Sequence, residues 1–467
     1  MALTLNTAWI FALVLGGMVV LHELGHFIVA RLFGIRVETF SVGFGPRLWG
    51  LKRGNTDYRL SLIPLGGYVK MAGENLDEQL TGAPYEFMSK PKWQRFCVAI
   101  AGPTANILTA IAIPLGIAMV HNEDVAYYSQ PPVIDAVGPD SSAEKAGLKP
   151  GDLIVAIGDE VNPTWEDIED TVALSPDVDL PVVVKRGEET KTLTVRPAGI
   201  DAMNEKIGDA GFFPSFGPNV RIMVTGVFAN SPAEGAGLAP GDQIVGINGK
   251  PVAQNPSGQF AMIGLIKKSN GQPITLTVQR EGKTVDLTAS PRQEDGGDYR
   301  LGFNQVLAGV ERTVNRLGPA AALRKSIKTN LRTIKLTKTV LGDVFAGRRK
   351  FSNAVSGPVG IFVATSQAAE IGPRAVLGLA GLLSLSLGLI NLFPIPVLDG
   401  GLIFMLVLES ILGIFGLPLT LRAKERMMQV GFVAIVLLMA FVIYSDVAKL
   451  MPSRSSPQPA DSRPAGK

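Results

Sequence analysis

His22-Glu23-Leu24-Gly25-His26 lies inside an apolar run, Ala8 to Val29, long enough to cross a lipid bilayer. A segment at that depth must be helical, because hydrocarbon offers the backbone no hydrogen-bond partners. On a helix, residues four apart share a face. His22 and His26 can therefore present two imidazoles to one Zn²⁺, while Glu23 is placed as a general base toward water activated there. The alternative, histidines used only for helix packing, leaves three polar or ionisable groups at membrane depth, a cost that a metal site explains.

Further apolar runs, Cys97 to Val120, Val376 to Ile395 and Gln429 to Tyr444, make this a polytopic α-helical membrane protein with four transmembrane helices, the last one short. The 467 residues have a mean hydropathy of +0.26, concentrated in these runs, and a polar insert separates the second from the third. The first run lacks a basic leader and a small-residue cleavage site, so it reads as retained. One cysteine, Cys97, excludes an intramolecular disulfide. A net charge of +3 without a basic cluster interleaved with aromatics excludes nucleic acid as the partner and leaves the lipid bilayer.

Lys and Arg crowd the connection from Arg31 to Arg95 and the loop holding Arg422, Lys424 and Arg426, which assigns both to the cytoplasmic side. The N- and C-termini and the insert then lie outside. The basic stretch Arg312 to Lys350 runs against this assignment, but long translocated domains obey the charge rule weakly. The histidines lie about 20 Å along the first helix, so the metal site belongs to the cytoplasmic half of the membrane.

The insert is duplicated. Ser142-Ala143-Glu144-Lys145-Ala146-Gly147-Leu148-Lys149-Pro150-Gly151-Asp152 recurs as Pro232-Ala233-Glu234-Gly235-Ala236-Gly237-Leu238-Ala239-Pro240-Gly241-Asp242. Each copy continues into a short strand and a turn, then a helical stretch (Thr164 to Leu174; Gly258 to Lys268). Two alternating strands follow, Leu180 to Lys185 with Thr190 to Val195, and Pro273 to Arg280 with Thr284 to Ala289. This pattern resembles tandem PDZ domains of the circularly permuted bacterial kind. The resemblance implies that Gly211-Phe212 and Gly302-Phe303 open the final strand and the loop that binds a peptide end. Such grooves accept an extended chain end by strand addition, or the pair acts as a steric gate; both readings stand. Beyond the insert, Ala320 to Phe345 carries apolar residues on one face and Arg324, Lys328, Arg332 and Lys335 on another, as an amphipathic strut helix does.

Two histidines leave a catalytic zinc one protein ligand short, and His121 falls beyond the far end of the second span. Asp399 is the best candidate. It follows Asn391-Leu392-Phe393-Pro394-Ile395-Pro396, whose prolines interrupt a helix, and irregular backbone at membrane depth is tolerated only when protein-packed or lining a polar cavity. An ordinary Asp-Gly turn at a membrane surface is the alternative. Glu409 lies about 15 Å past Asp399 if the stretch between is helical, and reads as a partner of a loop arginine or an interfacial carboxylate.

HELGH in the first span with NLFPIPVLDGG in the third resembles the site-2 protease family of intramembrane zinc metalloproteases, over nearly the whole chain. The resemblance implies that His22, His26 and Asp399 bind zinc and Glu23 is the catalytic base. It also implies that Asn391, with Pro394 and Pro396 of the same loop, positions the substrate. It implies a bacterial inner-membrane enzyme of envelope stress signalling, cutting single-span membrane proteins already trimmed outside, such as an anti-sigma factor, with signal-peptide remnants as further substrates. Gly43-Phe44-Gly45 and the Tyr58 to Lys70 run look like that family's membrane-reentrant β-hairpins, whose exposed edge can pair with a substrate strand; from the residues alone they form a half-buried hairpin. Gly102-Pro103-Thr104-Ala105-Asn106 brings small residues close to the metal. A rival reading is a non-proteolytic PDZ scaffold with a structural or vestigial metal site, but a structural zinc is closed by four protein ligands and three are found.

The expected layout is 1–120 (two spans and the β-hairpin loop), 121–215 and 216–308 (the PDZ pair), 309–350 (the basic helix), 351–451 (two spans) and 452–467 (a disordered tail).

Overall fold

The computed structural model describes residues 5–74, 81–202, 205–293, 297–349, 351–354, 357–417 and 420–450, so the 452–467 tail lies outside the described residues. The chain divides into two compact units: one built from residues up to Asn122 together with Arg316 onward, the other from Glu123–Asn315.

The first unit contains α1 (Leu5–Leu32), α2 (Lys92–Val120), α3 (Pro319–Phe345), α4 (Pro358–Ile371), α5 (Pro373–Asn391), α6 (Asp399–Ile414) and α7 (Leu421–Leu450). Among the described residues, four helices are long and apolar enough to span: Thr7–Leu32, Lys92–Val120, Pro373–Asn391 and Arg422–Val447. The last is longer than Gln429 to Tyr444, because charged residues at both ends join the helix. The third ends at Asn391, not Ile395, because Pro394 and Pro396 supply no N–H to continue it. Large apolar side chains of α7, including Val430, Phe432 and Leu437, are exposed, as lipid-facing residues are.

Small residues set the spacing of α1, α2 and α5. A Cβ on Gly25 would lie 2.4 Å from the Ala101 carbonyl oxygen, and one on Gly388 would lie 3.1 Å from that of Pro103. Several polar groups within the bundle are paired. Ser384 Oγ donates to the Asn106 carbonyl at 2.9 Å. Asp446, buried in α7, accepts the Gly357 and Gly360 N–H groups that begin α4.

α3 is the amphipathic helix expected from the sequence, and it is pinned to α2. Pro114 has no N–H, which leaves the Ala110 carbonyl without its helical donor. The Asn330 amide donates to that oxygen at 3.0 Å, and Ser326 Oγ donates to the Ile111 carbonyl at 2.7 Å.

Between α1 and α2, β1 (Val37–Arg53) and β2 (Thr56–Met71) each fold back on themselves. The register gives a four-stranded order, 47–53, 56–63, 37–44, 67–71, in which the two outer pairings are antiparallel and the central one, 56–63 beside 37–44, runs parallel. This is more than the hairpin that the alternation alone suggests. Trp49, Leu51, Leu62 and Ile63 are exposed on it.

In the second unit, the repeat becomes two lobes. The first has a four-stranded sheet with Leu153–Ile157 paired to Leu180–Arg186 and that strand to Glu189–Val195, plus the helix Trp165–Ala173. In the second, Gln243–Ile247, Ile274–Arg280 and Lys283–Ala289 repeat this arrangement beside the helix Pro256–Lys267. That helix starts before Gly258, because Asn255 accepts the Gly258 N–H and Pro256 suits a first helical position. The closing strands differ: Phe303–Ala308 pairs along Arg221–Val227, whereas Phe212–Phe213 pairs only with Ala136–Val137.

Each lobe buries the aspartate of its Pro-Gly-Asp turn under one arginine. Arg186 contacts both Asp152 oxygens at 2.6 and 2.8 Å, and Arg280 contacts Asp242 at 2.6 and 2.7 Å. The Arg186 hydrogen bonds hold the Asp152 carboxyl below its ordinary range. Burial works to raise Asp242, but the Arg280 bonds outweigh it and the net shift is also downward. A depressed carboxyl contributes stability that is complete above its unfolded pKa of about 3.9 and is lost as pH falls through the lower folded value. Asp152→Ala or Asp242→Ala should destabilise its own lobe by about 2 kcal/mol, less than for a fully buried pair because each arginine is partly exposed. Hydrogen exchange of residues 123–315 in the intact chain should show this at pH 7, with the wild-type advantage disappearing below about pH 4.

Candidate metal centre

His22, Glu23 and His26 occupy adjacent turns of α1, and the two histidines are buried. Asp399 enters from the first turn of α6. The turn before it places Asp399 by close backbone packing. A Cβ on Gly400 would lie 2.2 Å from the Phe393 carbonyl oxygen, and one on Gly401 would lie 2.3 Å from that of Ile395. Val397 has φ +118°, a region costly for a β-branched residue, so the loop holds strain beside the site.

His22 Nε2 and His26 Nε2 are 3.2 Å apart, and the Asp399 oxygens lie 3.0 Å from the first and 3.4 Å from the second. Tetrahedral zinc with bonds of about 2.0–2.1 Å sets its ligand atoms about 3.3 Å from one another. The three donors therefore fit zinc, with a fourth position left for water or substrate. They are also the group of possible metal ligands found among the described residues. His121 caps the opposite end of α2 and takes no part.

The second nitrogen of each imidazole is held by α2. His26 Nδ1–H donates to the Val98 carbonyl at 2.7 Å, which leaves Nε2 with a lone pair for a metal. Asn106, completely buried, places its Nδ2 3.2 Å from His22 Nδ1, while its Oδ1 has no hydrogen-bond partner among the described residues. Ligation through His22 Nε2 requires the amide oxygen on the ring side, accepting Nδ1–H. Gly102 clears the floor: a Cβ there would lie 2.3 Å from His26 Nε2 and 2.7 Å from His22 Nε2. The Gly102 to Asn106 motif suggests close packing; the hydrogen bonds of Asn106 and Val98 become visible only once two helices meet.

Glu23 Oε2 accepts the Val69 N–H at 3.0 Å from strand 67–71. A cavity of about 380 Å³ opens here, lined among others by Glu23, Val69, Glu74, Asn391, Val397 and Asp399. Pro394 and Pro396 are not among its lining residues; Pro396 packs on Gly431 of α7 and shapes the turn. Glu409 forms ion pairs with two lysines: Lys424 at 2.9 Å and Lys92 at 3.7 Å. The starts of α2 and α7 therefore share one basic end with it.

A family model of peptidase family M50 matches residues 10–438. The chain is 32% identical over 467 positions to the regulator of sigma-E protease RseP of Salmonella typhimurium, covering 94% of this chain and 98% of that one. It is 32% identical, with the same coverage, to the protein of that name from Escherichia coli K12. A Vibrio cholerae protein that carries the name of a zinc metalloprotease is also 32% identical, again over 94% and 98% of the two chains.

Gly102→Ala and Asn106→Leu should each lower zinc retention about 10- to 100-fold while the protein still inserts and folds. Zinc content of the purified variants by elemental analysis, after dialysis against a weak chelator, checks this. Asn106→Gln should recover part of the loss if the amide acts through its hydrogen bond.

Proposed function

Because the chain belongs to peptidase family M50, as an intramembrane zinc metalloprotease, we propose that it hydrolyses a peptide bond in the transmembrane segment of single-span proteins, with His22, His26 and Asp399 as zinc ligands and Glu23 as the base. The observation that carries this is the convergence of three donor atoms at zinc spacing beside a carboxylate, inside a helix long enough to span. A structural site would close with a fourth protein ligand, and no fourth is grouped with these among the described residues.

When bound, zinc supplies an acidified water and polarises the scissile carbonyl. Glu23 takes the proton of the attacking water and returns it to the leaving amine. Val69 N–H holds the Glu23 carboxylate in place for this transfer, and Asn106 and Val98 keep both imidazoles oriented. Asn391, at the end of α5 and on the cavity wall, carries an amide suited to the substrate backbone. A helical substrate hides its peptide bond in internal hydrogen bonds, so it must be extended first; strand 67–71, the outer strand of its sheet, offers an edge for that extended form.

The basic end shared by Lys92, Lys424 and Glu409 supports a cytoplasmic location for the metal-proximal half, with the termini and lobes on the periplasmic side of an inner membrane. The exposed apolar side chains of the β1–β2 sheet support its dipping into the bilayer, and the exposed apolar face of α3 supports contact with the membrane surface. The repeated lobes are read as a PDZ pair that screens substrates by the size of their ectodomains, admitting a trimmed anti-sigma factor or a signal-peptide remnant. In the first lobe the Gly211 N–H is already taken by Asp209 Oδ1 at 2.9 Å, which favours the second lobe for any chain end.

Glu23→Gln should reduce cleavage of a trimmed single-span substrate by at least about 10³-fold with zinc content unchanged. Retained turnover would refute Glu23 as base. Removing residues 123–315 should permit cleavage of the untrimmed substrate; continued refusal would refute the screening role.

A further inference from the structure

The strand 67–71 turns one row of donors toward strand 37–44 and the other toward the cavity. The Ala72 N–H donates to the Arg36 carbonyl, and the alternation of donors along a strand then turns the N–H groups of Lys70 and Tyr68 inward as well. Val69 and Met71 face outward. Neither donor is idle: Val69 N–H goes to Glu23, and Met71 N–H goes to Glu74 Oε2 at 3.0 Å. Both carboxylates line the cavity that contains the metal-ligand group. Alternate donors on a strand lie about 6.8 Å apart, the repeat of carbonyl groups in an extended chain. The two glutamates thus stand where carbonyl oxygens of an added strand would be.

We infer that Glu74 is an internal occupant of the substrate strand's site, a specificity-determining residue that holds the Met71 N–H until an extended segment displaces it. The inference rests on the reading of strand 67–71 as the substrate edge. The two glutamates have different fates. Glu23 keeps the Val69 N–H, because the base must stay beside the metal for proton transfer. Met71 then provides an outward donor for a substrate carbonyl, once Glu74 lets go. A carboxylate accepts an N–H more strongly than a peptide carbonyl does, so an entering chain must bring further contacts to take its place. A segment that stays helical has its own carbonyls occupied and cannot compete. Glu74 therefore raises the threshold for engagement and favours segments that unwind easily.

The test compares full-length, zinc-loaded wild type, Glu74→Ala and Glu74→Gln on a trimmed single-span substrate. Glu74→Ala should lower KM about fivefold, with kcat changing far less, and Glu74→Gln, whose neutral amide oxygen still accepts, should fall between. Substrates with helix-stabilising replacements in the cut segment should gain most. An unchanged or raised KM would overturn the inference, as a merely structural role for Glu74 predicts. Substrate affinity measured in the Glu23→Gln background, with and without Glu74→Ala, gives the same comparison without turnover. Tighter binding by the double variant supports the inference, and equal or weaker binding overturns it. If wild type fails to cleave and the Glu23→Gln protein fails to bind, the protease reading itself falls and takes the inference with it. Cleavage by wild type with unaltered Glu74→Ala constants sinks the inference alone.

Discussion

Within a bilayer every polar group must find its partner in the protein, and that requirement organises the membrane unit around α2. Val98 supplies a carbonyl to His26, Asn106 meets His22, and Ser384 satisfies the Asn106 carbonyl from α5. A buried hydrogen bond to the non-ligating imidazole nitrogen fixes the tautomer and aims the other nitrogen. These contacts require the helices to approach closely, which is why Gly25, Gly102 and Gly388 stand at the crossings. A side chain at any of them would separate the helices that hold the donor atoms in register.

The same helix carries a second set of contacts toward its far end. Pro114 breaks the hydrogen-bond ladder, and Asn330 and Ser326 of α3 bind the carbonyls of Ala110 and Ile111. A kink in a spanning helix exposes backbone to hydrocarbon unless a neighbour covers it. Here the cover is the basic helix that follows the lobes in sequence. Any displacement of α3 bears on α2 through two side-chain hydrogen bonds, and α2 is the element against which both imidazoles are oriented.

Much of this arrangement was legible in local patterns. His22 and His26 are one helical turn apart, so their shared face followed from spacing, and Asp399 stood out because its prolines and glycines break an apolar run. The lobes declared themselves by repetition, and the first lobe's helix begins after Thr164 as its stretch suggests, whereas the second begins at Pro256, ahead of the Gly258 read from the sequence. What local pattern could not supply was pairing between distant segments. Asn106 lies 84 positions from His22 and Val69 lies 46 from Glu23. The four-stranded fold-back of β1 and β2 depends on register, and alternation alone is satisfied by a simple hairpin. Glu409 was read as a partner of a loop arginine or an interfacial carboxylate; its ion-pair partners Lys92 and Lys424 come from two different helices. The ends of the third and fourth spans moved for a related reason. Apolar content marks what can lie in lipid, whereas a helix ends where its backbone donors run out, at the prolines after Asn391.

Hydrolysis inside a membrane poses two demands that this geometry answers with different materials. Water activation needs rigid donors, and helices provide them, since side chains one turn apart are fixed by the backbone itself. Substrate opening needs a partner for backbone groups released from a helix, and only another backbone edge offers donors and acceptors at the matching repeat. An uncovered edge in hydrocarbon would be as costly as an uncovered kink. In this structure the Val69 and Met71 donors are taken by two glutamates, and both glutamates line the cavity beside the metal-ligand group. Edge and metal centre are therefore parts of one hydrogen-bonded structure, in which Glu23 belongs to both.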